Sequence, residues 1–151
     1  MPRFGEVQVK FNHIPDILRR MPERADALAR AIAFAIEGEA KQRAPVDTGF
    51  LKSSIYTDTS RSSGYDAAVQ GAANRLPSGE QREVFPPLPR PKPGEAVVAV
   101  AAHYGIYQEF GTVRAPAHPY MRPAVDKVVN EVNEIARKEM GEAALLGRVG
   151  G

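Results

Sequence analysis

The sequence predicts an α+β fold in a single domain, with a small antiparallel sheet packed against two long helices. Three observations predict it. Apolar residues recur at spacings of three and four in two long stretches, and shorter alternating or continuous apolar runs lie between them. Along the 151 residues the order is strand, helix, strands, helix, which is the α+β pattern. A chain of this length suits one domain and can bury a core without covalent staples. The expected domain spans residues 1–144, with a proline-rich loop at about 72–94 and a flexible tail at 145–151.

Val7, Val9 and Phe11 alternate with Gln8 and Lys10, which predicts a short edge strand. Ile14 to Met21 reads as a helical turn or two. Glu23 to Arg43 is the clearest helix, with Leu28, Ile32, Ala35 and Ile36 as its apolar stripe. Asp26–Arg30, Glu37–Lys41 and Glu39–Arg43 set acid before base at i,i+4. Each such pair is worth only about 0.2–0.5 kcal/mol, so the stripe dominates. Ala44-Pro45 ends the helix, because a residue preceding proline avoids the helical region. Asp47-Thr48-Gly49 is a turn, with Thr48 placed to cap a short helical segment through Leu51 and Ser54.

Ile55 to Thr59 is a strand, Ser60 to Gly64 a loop, and Tyr65 to Gln70 an expected antiparallel return strand. Gly71 to Gly94 has little periodicity, and its Phe85–Pro93 part favours polyproline II. Glu95 to Ala102 is the most apolar run and should be central in the sheet. A short helix after His103 would stack Tyr104, Tyr107 and Phe110 along one side. Gly111 is expected to end it with positive φ. The final helix runs from about Pro123 to Met140, and Val125, Val128, Val129, Val132, Ile135 and Ala136 form its buried stripe.

Composition narrows the chemistry. The net charge is +2, with 43% hydrophobic and 25% charged residues, an ordinary balance for a globular protein. Basic residues are not concentrated as in a dedicated nucleic-acid binder. The absence of cysteine excludes disulfides, thiolate nucleophiles and zinc fingers. The first residues lack an apolar core of signal-peptide length, and the seven-residue run Ala96–Ala102 is far short of the roughly 20 needed to span a bilayer. No membrane association is expected. His13, His103 and His118 have no paired metal-ligand spacing, and no GxSxG elbow, P-loop or GxGxxG is present. Glu109 reads as a structural carboxylate held by a base such as Arg114 or Arg122. No catalytic, cofactor-binding or metal-binding residue is predicted, and the chain is not expected to be an enzyme.

Binding features are richer. Tyr104, Tyr107, Phe110 and Tyr120 cluster among Gly105, Gly111, Pro116, Pro119 and Pro123, as in contact surfaces built on rigid turns. In the proline-rich loop Arg82, Arg90 and Lys92 are candidate phosphate contacts, with affinity falling as salt rises.

Three motifs then occur in order: Ala44-Pro45-Val46-Asp47-Thr48-Gly49 with Leu51 and Ser54; Tyr104-x-x-Tyr107-x-Glu109-Phe110-Gly111-Thr112; and Pro119-Tyr120-Met121-Arg122-Pro123-Ala124. Together they closely resemble the small tail-component family of long-tailed bacteriophages, whose members are tail-completion or head–tail joining (neck) proteins. The resemblance covers roughly Arg20 to Met140, and the Leu76–Pro93 segment is not part of it. It implies a structural virion subunit of a phage or prophage, made in the host cytoplasm. The subunit would assemble with itself as a six-fold ring at the neck, around the DNA channel. Its neighbours would be head–tail connector, tail-tube or terminator proteins, with nonspecific DNA contact possible in the channel. The assembly residues it implies are Pro45, Asp47, Thr48, Gly49, Leu51, Tyr104, Tyr107, Glu109, Phe110, Gly111, Thr112, Pro119, Tyr120, Arg122 and Pro123. Two other readings remain beside it: a DNA-contacting accessory protein acting through Arg82, Arg90 and Lys92, and a hydrolase or metal enzyme using His103, Glu109 and His118.

Overall fold

A computed structural model describes residues 8–10 and 22–140. Strand β1 (Gln8–Lys10) precedes helix α1 (Pro22–Arg43), the one-turn helix α2 (Phe50–Ser53) and strand β2 (Ile55–Thr59). Helix α3 (Tyr65–Ala73), strand β3 (Ala96–Val100), helix α4 (Gly105–Phe110) and helix α5 (Met121–Met140) follow. The architecture is α+β with two long helices, as the sequence predicts. The expected helical turns at Ile14–Met21 and the tail at 145–151 lie outside the described residues, as does His13.

β3 is the central strand of a three-stranded antiparallel sheet ordered β1-β3-β2. Val98 is opposite Val9 on one side and Thr57 on the other. All five residues of β3 are buried, because both faces of the sheet are covered. Ala96, Val98 and Val100 face α1 and α5, together with Ile32, Ile36, Ile55 and Val128. Val97, Ala99 and Ala101 face the other way, onto Tyr56 and Ala68, where Tyr65, Val69, Val84 and Leu88 close the layer. The continuous apolar run is thus the period of two read from both faces at once.

α1 presents Leu28, Ile32 and Ile36 among buried alanines (Ala25, Ala29, Ala33, Ala40), which let α5 lie close against it. The three predicted ion pairs form, at 3.9 Å for Arg30–Asp26, 2.5 Å for Lys41–Glu37 and 3.5 Å for Arg43–Glu39. Lys127 of α5 also reaches Glu39, at 2.5 Å. On α5 the buried row is Met121, Ala124, Val128 and Ala136, with Val125, Val132 and Ile135 half-buried. Val129, expected inside, is exposed. It follows Val128 by 100° of helical turn, which carries it off the stripe.

The expected return strand at Tyr65–Gln70 is a helix. Its alanines favour helix, and Ala68 and Ala72 at i,i+4 are the buried positions, a spacing of helix rather than strand. The Ser60–Gly64 loop, not a third long strand, covers the free edge of β2: Thr59 N–H donates to Ser62 O at 2.8 Å and Gly64 N–H to Thr57 O at 3.1 Å. The proline-rich segment from Asn74 to Gly94 is a strap of irregular backbone. It is stitched to the end of β3 by Phe85 N–H to Ala101 O at 2.8 Å and His103 N–H to Glu83 O at 3.0 Å. No helix among the described residues is long and apolar enough to cross a membrane.

Candidate assembly site

The three sequence motifs come together at one end of the sheet, and most of their residues hold the frame. The first follows α1. Thr48 Oγ1 accepts the N–H of Phe50 at 3.2 Å, so Thr48 does serve the start of α2 as predicted, although Gly49 occupies the cap position itself. Gly49 has φ 89°, and the Arg75 side chain lies over it. The turn drives Phe50 and Leu51 into the core and leaves Asp47 on the surface, with Pro45 half-buried.

Arg82 then clasps this turn to the second motif. Its guanidinium lies 5.8 Å from the Phe50 ring centroid and 5.5 Å from that of Tyr104. It donates to the Tyr104 hydroxyl at 3.3 Å, pairs with Glu80 at 3.1 Å and comes within 3.8 Å of Asp47. Tyr104 in turn stacks on Phe50, with centroids 6.1 Å apart. Arg82, a candidate phosphate contact from sequence, is therefore engaged by the protein, whereas Arg90 and Lys92 are exposed on the strap.

The second and third motifs are joined by Glu109. Its buried carboxylate accepts the backbone N–H groups of Tyr120 and Met121 at 2.9 Å each, and that of Arg122 at 3.0 Å. Neither Arg114 nor Arg122 is its counter-charge, contrary to expectation; the start of α5 is. The first amides of a helix lack partners within it, and Pro123 has no N–H to satisfy, so one carboxylate caps this terminus. Tyr120, fully buried, donates its hydroxyl to Gly105 O at 3.0 Å. Burial pushes the Tyr120 phenol up from its ordinary pKa, and the Glu109 charge adds to the effect. Gly105 must be glycine here: a Cβ would lie 2.8 Å from the Tyr120 hydroxyl and 2.9 Å from Val100.

The aromatic stack predicted for α4 does not form, because Tyr104 turns inward. Tyr107 is 51% exposed and lies 6.5 Å, centroid to centroid, from His103, which packs on Phe85 at 4.8 Å. Phe110 is 69% exposed at the end of the helix. Gly111 has φ 75°, as expected. Residues 112–119 are all exposed, Thr112 and Pro119 included, yet the loop is bonded to itself. Thr112 Oγ1 accepts the amides of Arg114 and Ala115 at 3.2 and 3.0 Å, and His118 N–H donates to Gln108 O at 2.7 Å.

Two polar hubs escaped the sequence reading. Asp26 is buried, not part of a solvated face. It accepts Ser60 Oγ at 3.0 Å and Gly94 N–H at 3.1 Å and pairs with Arg61 at 3.2 Å, so it ties α1, the β2–α3 loop and the end of the strap together. Burial raises its pKa, but the Gly94 amide, the Ser60 hydroxyl and the Arg30 and Arg61 charges outweigh this and hold it below the ordinary value. Glu37 takes Thr57 Oγ1 at 2.6 Å, satisfying a buried hydroxyl of β2. His103, Glu109 and His118 do not converge, since both carboxylate oxygens of Glu109 face the α5 amides. Among the described residues no three His, Asp or Glu side chains are grouped to hold a metal.

The chain belongs to a bacteriophage tail-component family, as a family match over most of its length shows. Residues 7–111 match the family described as "Bacteriophage HK97-gp10, putative tail-component". The match contains the first motif, the whole strap and the second motif as far as Gly111, but stops short of Pro119–Pro123. The strap, outside the resemblance seen in sequence, thus falls within the family match. No curated protein and no solved structure matches the chain.

Proposed function

We propose that this chain is a structural tail-completion or head–tail joining subunit that assembles with copies of itself into a ring at the neck, around the DNA channel. The observation that carries it is the contrast between a fixed interior and an apolar rim. Glu109, Tyr120, Gly105 and the Arg82 clasp immobilise the motif backbone, while Tyr107, Phe110 and Val113 point into solvent. Large apolar side chains on rigid supports suit protein contact, because little ordering cost remains to be met on binding. In this reading the role in the virion is structural, with neighbouring connector, tail-tube or terminator proteins as partners.

Light scattering and electron microscopy of the purified protein, alone and mixed with tails and with DNA-filled heads, test this reading. Association with copies of itself or with either particle is expected; failure to associate with all three overturns it. Contact with DNA in the channel would fall to Arg90 and Lys92, since Arg82 is engaged. Changing both to Ala should abolish any salt-dependent DNA binding, and binding that survives the change removes that role.

A further inference from the structure

Within the strap, every residue from Phe85 to Pro93 is a proline or directly precedes one. Proline fixes its own φ, and a residue before proline is pushed out of the helical region, so the whole stretch is confined to polyproline II geometry. From Phe85 to Lys92 it runs without a turn or bend. Such a helix has three residues per turn and is therefore three-sided. Burial sorts the residues onto those sides. Phe85 packs on His103, Leu88 on the Tyr56 layer, and Pro91 is buried, so one side faces the protein. Pro86, Pro89 and Lys92 are exposed on the second side, and Pro87, Arg90 and Pro93 on the third.

The rod is anchored at both ends. Phe85 N–H donates to Ala101 O at 2.8 Å, and the Phe85 carbonyl accepts the Tyr65 hydroxyl at 2.6 Å. At the far end Glu95 N–H donates to Lys92 O at 3.0 Å and Gly94 N–H to Asp26 at 3.1 Å. Among the described residues no donor reaches the carbonyls from Pro86 to Pro91. The chain has no acidic residue between Glu83 and Glu95, so the charge of the rod is that of Arg90 and Lys92.

We infer that the strap is a preformed polyproline II ligand whose two exposed sides seat in an aromatic-walled groove of a different protein, with Arg90 and Lys92 against a carboxylate at the groove's end. Proline rings pack on aromatic planes, and a groove that grips two sides of the rod leaves the third for the sheet. Indole or hydroxyl donors on the groove wall meet the open carbonyls. Because the rod is already ordered, little conformational entropy remains to be lost on binding. Another copy of this chain fits poorly. It has no tryptophan, and its exposed aromatics Tyr107 and Phe110 lead into a loop that carries Arg114 and no carboxylate. Duplex DNA fits poorly too, since Pro86, Pro87, Pro89 and Pro93 offer phosphate no N–H and two cations neutralise little of it.

The test titrates the full chain by calorimetry with purified SH3 and WW domains, chosen to cover both chain directions and a cation at either end. Random-sequence duplex DNA is the second probe. Saturable binding to a domain of the panel is expected, abolished when the tryptophan of that domain's groove is changed to Ala. Pro86→Ala with Pro89→Ala should weaken it about ten-fold, and Arg90→Glu with Lys92→Glu at least as much. Circular dichroism should not change, because all four residues are exposed. If the double proline variant does lose structure, Lys92→Glu alone carries the test. No binding by any domain, or binding indifferent to these substitutions, overturns the assignment. Duplex binding that is lost with Arg90 and Lys92 but unaffected by the proline substitutions, with no groove binding beside it, overturns it in favour of a phosphate contact. Self-association in light scattering is read separately, so the ring reading stands or falls apart from this one.

Discussion

Glu109 lies 11 to 13 residues before the three amides it binds, so it couples α4 to α5 across an exposed loop. Removing it leaves buried donors unpaired. Glu109→Ala should cost about 2–3 kcal/mol and lower the melting temperature by about 4–12 °C, measured by calorimetry. Gly111→Val should also harm folding: a Cβ there would meet Ala117 N at 2.7 Å, and φ is 75°. Asp26 supplies a pH test. Its carboxyl is held below its ordinary pKa in the fold, so its contribution is complete above the unfolded value near 3.9 and is lost as pH falls through the lower, folded one. Asp26→Asn should therefore be less stable than wild type at pH 7 in urea titrations, with the gap closing below about pH 4. At this scale the sequence shows that Glu109 is structural but not what holds it. Basic side chains are visible as letters, whereas the open amides of a helix terminus belong to no residue type. Asp26 was hidden for a related reason: its i,i+4 spacing to Arg30 has the form of a surface pair, and its partners Ser60 and Gly94 are 34 and 68 residues away.

Among the elements, α1 and α5 were legible from their helical period, and β2 and β3 from short runs of strand-forming and apolar residues. α3 was not. Tyr65 and Val69 have strand propensity, and a helix of nine residues shows only two buried positions, Ala68 and Ala72. Those small residues let α3 lie flat on Tyr56, with the Tyr65 and Tyr56 rings edge to face at 5.4 Å. Two helices also contain a glycine that their own packing does not require. A Cβ on Gly38 of α1 or Gly71 of α3 would meet nothing within 4 Å. Gly38→Ala and Gly71→Ala should each stabilise the protein by about 0.5–1 kcal/mol, additively, as read from denaturant midpoints.

In the whole molecule, the sheet is covered on one side by two long helices and on the other by α3 and the strap. The strap contributes Val84 and Leu88 to that second layer and is held at Phe85 by the Tyr65 hydroxyl at 2.6 Å. Five prolines between Pro86 and Pro93 remove backbone donors that water would otherwise have to satisfy. Val84→Ser with Leu88→Ser should uncover the Tyr56 face. Increased binding of a hydrophobic dye with helix content retained is the expected result, measured by fluorescence and circular dichroism. The strap's role was illegible in sequence, since irregular backbone has no period and its contacts are long-range. The candidate site was legible as a set of motifs; which of their members face inward was not, because Tyr104 and Tyr107 are the same letter with opposite fates. The pinning of both ends of the 111–119 segment has a practical corollary. Glu109 and Tyr120 act as fixed posts, so the stretch between them is an exchangeable cassette in which tip residues can drift, or be swapped for another tail's, while the posts stay put.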